Sequence, residues 1–88
     1  MIVEKLKIIN KTGLHARPAT LFVEKAKNFI SKITIEKNGR IVDAKSLISV
    51  LSLGIEQGQE IILKIEGPDE NEAFKELKTL IESGLGEE

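Results

Sequence analysis

The sequence predicts an α+β fold, an open-faced two-layer sandwich in which helices cover one face of a β-sheet and solvent meets the other. Three observations lead there. Residues 2–9 alternate, with Ile2, Leu6 and Ile8 on one face and Lys5 and Lys7 on the other, which is the period of a half-buried strand. From Pro18 onward the period changes: Ala19, Phe22, Val23, Ala26, Phe29 and Ile30 recur at helical spacing, with Glu24, Lys25 and Lys27 opposite. Asn38-Gly39 then separates two extended runs, and this pair tolerates the positive φ that a type I′ hairpin turn requires at both central positions.

The remaining elements follow in order. Asn10 to Gly13 is a turn-rich stretch that ends the first strand. Ile33 and Ile35 alternate with Lys32, Thr34 and Glu36 in a second strand, and Arg40 to Ala44 is its antiparallel return. Ser46 before Leu47, Ile48, Val50 and Leu51 marks a short, capped helix. Gly54 and Gly58 bracket a loop, after which Ile61, Leu63 and Ile65 form a fourth strand with one apolar face. Asp69 and Glu72 have capping-box spacing ahead of Ala73, Phe74, Leu77, Leu80 and Ile81, and Gly84 closes this last helix. The order is β-α-β-β-α-β-α, with no internal repeat and no linker.

Composition bounds the function. At 88 residues the chain suits one domain, 1–88. Thirteen basic and 14 acidic side chains, with three aromatics, argue against direct nucleic-acid binding. No apolar run approaches the roughly 18–20 residues of a membrane span, and the alternating amino terminus lacks the core of a signal peptide, so a cytoplasmic protein without membrane insertion is expected. Without cysteine, and with one histidine, no metal site or other cofactor is expected.

The one chemically distinctive stretch is Gly13-Leu14-His15-Ala16-Arg17-Pro18, which holds the sole histidine and one of two arginines at a strand-to-helix junction. Pro18 suits the first turn of a helix. His15 then lies at the helix start, where unpaired N–H groups and the positive dipole end favour an anion, and Arg17 adds a forked cationic contact. Both disfavour an imidazolium, so a neutral, nucleophilic ring beside a phosphate cradle is one reading, apt for accepting a phosphoryl group. An idle polar residue at a helix start is the other. No serine or cysteine is paired with His15 in a way that suggests a hydrolase triad. Leu14 is expected to anchor the loop in the core.

Ser46 also has two readings, an ordinary N-cap or a regulatory phosphorylation site whose phosphate the helix dipole would tolerate. Leu47, Ile48 and Leu51, with Leu21 off the stripe of the first helix, are either core or an exposed patch for a partner.

Gly13-Leu14-His15-Ala16-Arg17-Pro18-Ala19-Thr20 resembles the active-site signature of the HPr family, the histidine-containing phosphocarriers of the bacterial phosphoenolpyruvate-dependent sugar phosphotransferase system. Lys45-Ser46-Leu47-Ile48-Ser49-Val50-Leu51-Ser52-Leu53-Gly54 resembles the family's second signature, around a regulatory serine. The resemblance implies a four-stranded antiparallel sheet of order 1-4-2-3 under three helices. It implies that His15 accepts a phosphoryl group on Nδ1 from phosphorylated Enzyme I and passes it to IIA domains of sugar permeases. Arg17 and the N–H groups of Ala16 and Arg17 would hold the phosphate. Ser46 would be the target of an HPr kinase/phosphorylase, its phosphorylated form serving a catabolite-control repressor. Thr20, Leu21, Leu47, Ile48 and Leu51 match the family's partner-facing surface. Leu47, Ile48, Leu51 and Ser49 stand where many relatives carry methionines and a glycine, which stiffens that surface while keeping it apolar. A monomer is expected. A regulatory paralogue that acts only as corepressor has its active-site histidine replaced, and a nitrogen-branch relative differs in the second signature; His15 and the Ser46 stretch both favour the sugar branch.

Overall fold

The computed structural model describes residues 1–87. Its elements are β1 (Ile2–Lys7), α1 (Ala16–Ala26), β2 (Lys32–Lys37), β3 (Arg40–Asp43), α2 (Leu47–Ser52), β4 (Glu60–Glu66) and α3 (Glu70–Glu82), in the order the sequence predicts. The strands form one antiparallel sheet, β1-β4-β2-β3, as the resemblance implies. β4 lies inside the sheet, and its register sets Ile65 against Ile2 on one side and Ile33 on the other. Ile61, Leu63 and Ile65 therefore point with Leu6, Ile33 and Ile35 into the core, where α1 contributes Ala19, Phe22, Val23 and Ala26 and α3 contributes Ala73, Leu77 and Ile81. The opposite sheet face carries exposed Val3 and Ile41 among lysines and glutamates.

Local chemistry explains most boundaries. Asn38 and Gly39 take φ values of 52° and 83°, the left-handed pair that the β2–β3 hairpin requires. At the end of α3, Gly84 has φ 92° and the Leu85 and Gly84 N–H groups donate to Leu80 O and Ile81 O at 3.0 and 3.1 Å. This Schellman closure turns the chain so that Leu85 is buried and Glu87 reaches the β1–α1 loop.

Two expectations are corrected. α1 stops at Ala26, short of Phe29 and Ile30. Phe29 still reaches the core from the following loop, whereas Ile30 is 77% exposed, so its match to the helical stripe is accidental. Asp69 precedes α3 but makes no capping hydrogen bond. Its carboxylate instead accepts the backbone N–H groups of Ile30 and Ser31, each at 3.0 Å, and the Ser31 hydroxyl. Gly67 explains the diversion: a Cβ there would overlap Ser31, so the α1–β2 loop comes close enough to capture the aspartate. The Ser31 hydroxyl and these amides hold the Asp69 carboxyl below its ordinary range.

Candidate functional site

The β1–α1 loop is fixed from three sides. Asn10, buried, donates through Nδ2 to Gly13 O at 2.8 Å. Gly13 has φ 69°, and a Cβ there would sit 2.3 Å from the Ile55 carbonyl oxygen, so only glycine permits this approach. Leu14 N donates to that same oxygen at 3.0 Å while its side chain is fully buried, the anchoring role expected of it. From the third side comes Glu87, whose carboxylate accepts from Asn10 Nδ2, Thr12 N and Thr12 Oγ1 at 2.9, 3.1 and 2.9 Å. The Asn10 bond, followed by the Thr12 amide, keeps the Glu87 carboxyl below the usual carboxylate range.

His15 emerges from this loop as the N-cap of α1, with extended backbone (φ −128°, ψ 158°), but its side chain makes no capping bond. The ring turns toward the α2–β4 loop, where Nε2 lies 2.9 Å from Glu56 Oε2. A carboxylate can only accept, so Nε2 carries the proton and donates it. In the neutral ring the lone pair is then on Nδ1, which makes no hydrogen bond among the described residues.

Ala16 follows with φ 49°, a left-handed conformation that non-glycine residues rarely adopt and that costs of order 1–3 kcal/mol. It is also the first residue of α1, so its N–H and that of Arg17 belong to the helical turn that lacks intrahelical acceptors. The Arg17 side chain is exposed, without an ion pair among the described residues, beside a shallow depression that Ala16, Pro18 and Leu85 also line. Thr20 is exposed one turn on, its hydroxyl donating to Ala16 O at 3.1 Å.

The second signature is equally well defined. Ser46 is the N-cap of α2; its Oγ accepts from Ser49 N at 3.3 Å and donates to Ser49 Oγ at 2.9 Å. Val50 faces inward, while Leu47, Ile48 and Leu51 are 37%, 82% and 37% exposed, and Leu21 on the adjoining α1 is 39% exposed. These side chains are therefore at the surface and not in the core.

The structure brings His15, Ala16 and Arg17 together at one helix start and adds two residues that sequence reasoning missed. Glu56 is 41 residues from His15, and Glu87 lies at the far end of the chain. No local pattern announces either one. The bracketing glycines Gly54 and Gly58 hinted only at a tight loop beside Glu56.

Comparison with known proteins agrees with this geometry. The family described as "PTS HPr component phosphorylation site" matches residues 2–83. The chain is 42% identical over 87 residues to the phosphocarrier protein HPr of Cupriavidus necator, covering 99% of this chain and 98% of that one. It is 48% identical over 82 residues to the HPr-like protein Crh of Halalkalibacterium halodurans, covering 93% and 98% respectively. Among solved structures, HPr from Thermoanaerobacter tengcongensis superposes with a TM-score of 0.97 at 52% identity, covering 100% of this chain and 99% of that one. A second structure from that organism is described as an HPr dimer, with a TM-score of 0.80 at 54% identity and coverages of 93% and 94%. With two signatures, a sheet of order β1-β4-β2-β3 and matches spanning nearly its whole length, this chain belongs to the HPr family of phosphocarriers of the phosphotransferase system.

Proposed function

We propose that this chain, acting as one domain in the cytoplasm, carries a phosphoryl group on His15 from phosphorylated Enzyme I to IIA domains of sugar permeases. The observation that carries the reading is the His15 ring itself: Nε2 is occupied by Glu56 and Nδ1 has no hydrogen-bond partner among the described residues, at the start of α1 beside Arg17. In the transfer, the Nδ1 lone pair forms the N–P bond as the bond from phosphorus to the Enzyme I donor breaks. The N–H groups of Ala16 and Arg17 receive the phosphoryl oxygens, and the Arg17 guanidinium supplies a forked, permanently charged contact. Passing the group on reverses these events at the IIA acceptor. The chain is a relay that is covalently loaded and emptied, not an enzyme with its own turnover.

Thr20, Leu21, Leu47, Ile48 and Leu51 form the surface that partners meet, as their exposure on α1 and α2 supports. A shared surface must be free at each encounter, so the transferring form is the monomer, although a relative is described as a dimer. Ser46 is the regulatory site, phosphorylated from ATP by an HPr kinase/phosphorylase and then read by a catabolite-control repressor. A second reading, favoured by the match to proteins named Crh, is a regulator that works through Ser46 alone and makes no use of His15.

A reconstituted relay separates the two. With phosphoenolpyruvate, Enzyme I and a IIA domain, label reaches IIA only when this chain is present, and His15→Ala abolishes the passage while leaving the circular dichroism spectrum unchanged. Label that bypasses the chain, or that survives His15→Ala, contradicts the carrier reading. Phosphorylation by the kinase at Ser46 without any transfer through His15 establishes the second one.

A further inference from the structure

The contact between His15 and Glu56 is built into the fold. The α2–β4 loop is pinned to the β1–α1 loop by the Leu14 N to Ile55 O bond, and Gly13 lies so close that an added Cβ would come within 2.9 Å of Glu56 Cα. Within the loop, Glu56 N donates to Gln59 Oε1 at 2.7 Å, which fixes the backbone from which the carboxylate reaches Nε2. The acid is exposed, so it is not there to satisfy the core, and the ring it meets is the nucleophile of the carrier reading.

We propose that Glu56 is a positioning residue for phosphoryl transfer: it holds the proton on His15 Nε2, presents the Nδ1 lone pair, and remains as counter-ion to the phosphorylated ring. The inference rests on the carrier reading of His15. Attack by Nδ1 with Nε2–H retained leaves a phosphorylated imidazolium, a cation facing the Glu56 carboxylate. When phosphorus moves on, the N–P electron pair returns to Nδ1 and the ring departs as neutral imidazole, still holding the Nε2 proton. Loss of that proton would make the leaving group an imidazolate, a far poorer one. Glu56 thus favours the form that hands its phosphoryl group on. Arg17 at the start of α1, Lys11 in the preceding turn and Glu87 beside that turn are charged groups at this end of the molecule, Glu24 and Lys25 lie two turns further along α1 and Glu60 opens β4, and Glu56 variants leave all of them in place.

The test uses the full chain loaded with phosphoenolpyruvate and Enzyme I. Phosphorus NMR follows the titration of the phosphohistidine from neutral to alkaline pH in wild type, Glu56→Gln and Glu56→Ala. Glu56→Gln keeps an acceptor for Nε2 but removes the charge; Glu56→Ala removes both. The midpoint is expected to fall by about half to one pH unit in both variants, because the counter-ion is gone. At a pH near the wild-type midpoint, transfer to a IIA domain slows by about two- to five-fold in step with it. Nitrogen NMR of the unloaded neutral ring shows the Nε2–H tautomer in wild type and Glu56→Gln, and a mixture in Glu56→Ala. Equal midpoints in all three proteins overturn the proposal, as does a wild-type ring already mixed between tautomers. A wild-type chain that never takes up phosphorus overturns the carrier reading, and this inference with it.

Discussion

Arg17 is the second residue of α1, directly after the strained Ala16, so its backbone N–H and its guanidinium both start from the same rigid turn. A guanidinium presents a planar fork to phosphate oxygens, whereas an ammonium presents a point charge on a flexible stem. Arg17→Lys is therefore expected to slow uptake from Enzyme I about tenfold, the loss of roughly one charge-assisted hydrogen bond. Rapid-quench measurement of the loading rate checks this, and a wild-type rate shows that the fork is not used. At this scale the sequence was a good guide where the chemistry is contiguous: His15, Ala16 and Arg17 lie within three residues, and Pro18 marks the helix start. It was silent on Glu56 and Glu87, because both reach the site through tertiary contacts between loops, and an isolated glutamate carries no sign of its distant partner.

Among the elements, α2 has six residues and depends on its cap more than a long helix would. The Ser46 hydroxyl accepts the Ser49 amide and donates to the Ser49 hydroxyl. Ser46→Ala removes both bonds and is expected to lower stability by about 1 kcal/mol, read as a shift in the urea midpoint. Ser46→Asp keeps a capping oxygen and adds a negative charge beside exposed Leu47 and Ile48, on the surface proposed to meet partners. Its stability should stay near wild type while the loading rate falls about tenfold, which stopped-flow transfer assays measure. An unchanged rate leaves Ser46 as a cap alone. The cap was legible because a serine immediately ahead of an apolar run has a local cause. Asp69 shows why such signals fail: it has capping-box spacing, but Gly67 brings Ser31 within reach, and three donors from another loop outcompete one helical amide. Ile30 fails similarly, since periodicity continues through a chance match after the helix has ended at Ala26.

At the scale of the whole molecule, three carboxylates join parts of the chain that are far apart in sequence. Asp69 ties α3 to the α1–β2 loop, Glu70 ties α3 to the Met1 ammonium at 2.7 Å, and Glu87 ties the chain beyond α3 to the β1–α1 loop. Glu70, like the other two, is held below its ordinary range, chiefly by the Met1 ammonium and then by the Gly67 amide. Each carboxyl therefore binds a proton more readily in the unfolded chain, and its contribution, fully present above the ordinary carboxylate range, is lost as pH falls through the lowered value. The melting temperature is expected to hold through neutral pH and to drop progressively below about pH 4 to 5. Asp69→Asn should flatten part of that drop; an identical acid limb in wild type and variant shows that the Asp69 clamp contributes nothing to it. The sheet and its three covering helices were legible from periodicity, because each strand shows one apolar face. The strand order was not, since antiparallel neighbours separated by two elements (β2 and β4) or four (β1 and β4) leave no mark on local pattern; the family resemblance supplied it.

Every transfer step proposed for this chain requires that His15 become covalently phosphorylated, and intact-protein mass after incubation with phosphoenolpyruvate and Enzyme I shows whether it does. One added phosphoryl group is expected, lost on acid treatment and absent from His15→Ala. No mass gain with a demonstrably active Enzyme I, or a gain that resists acid and persists in His15→Ala, contradicts it.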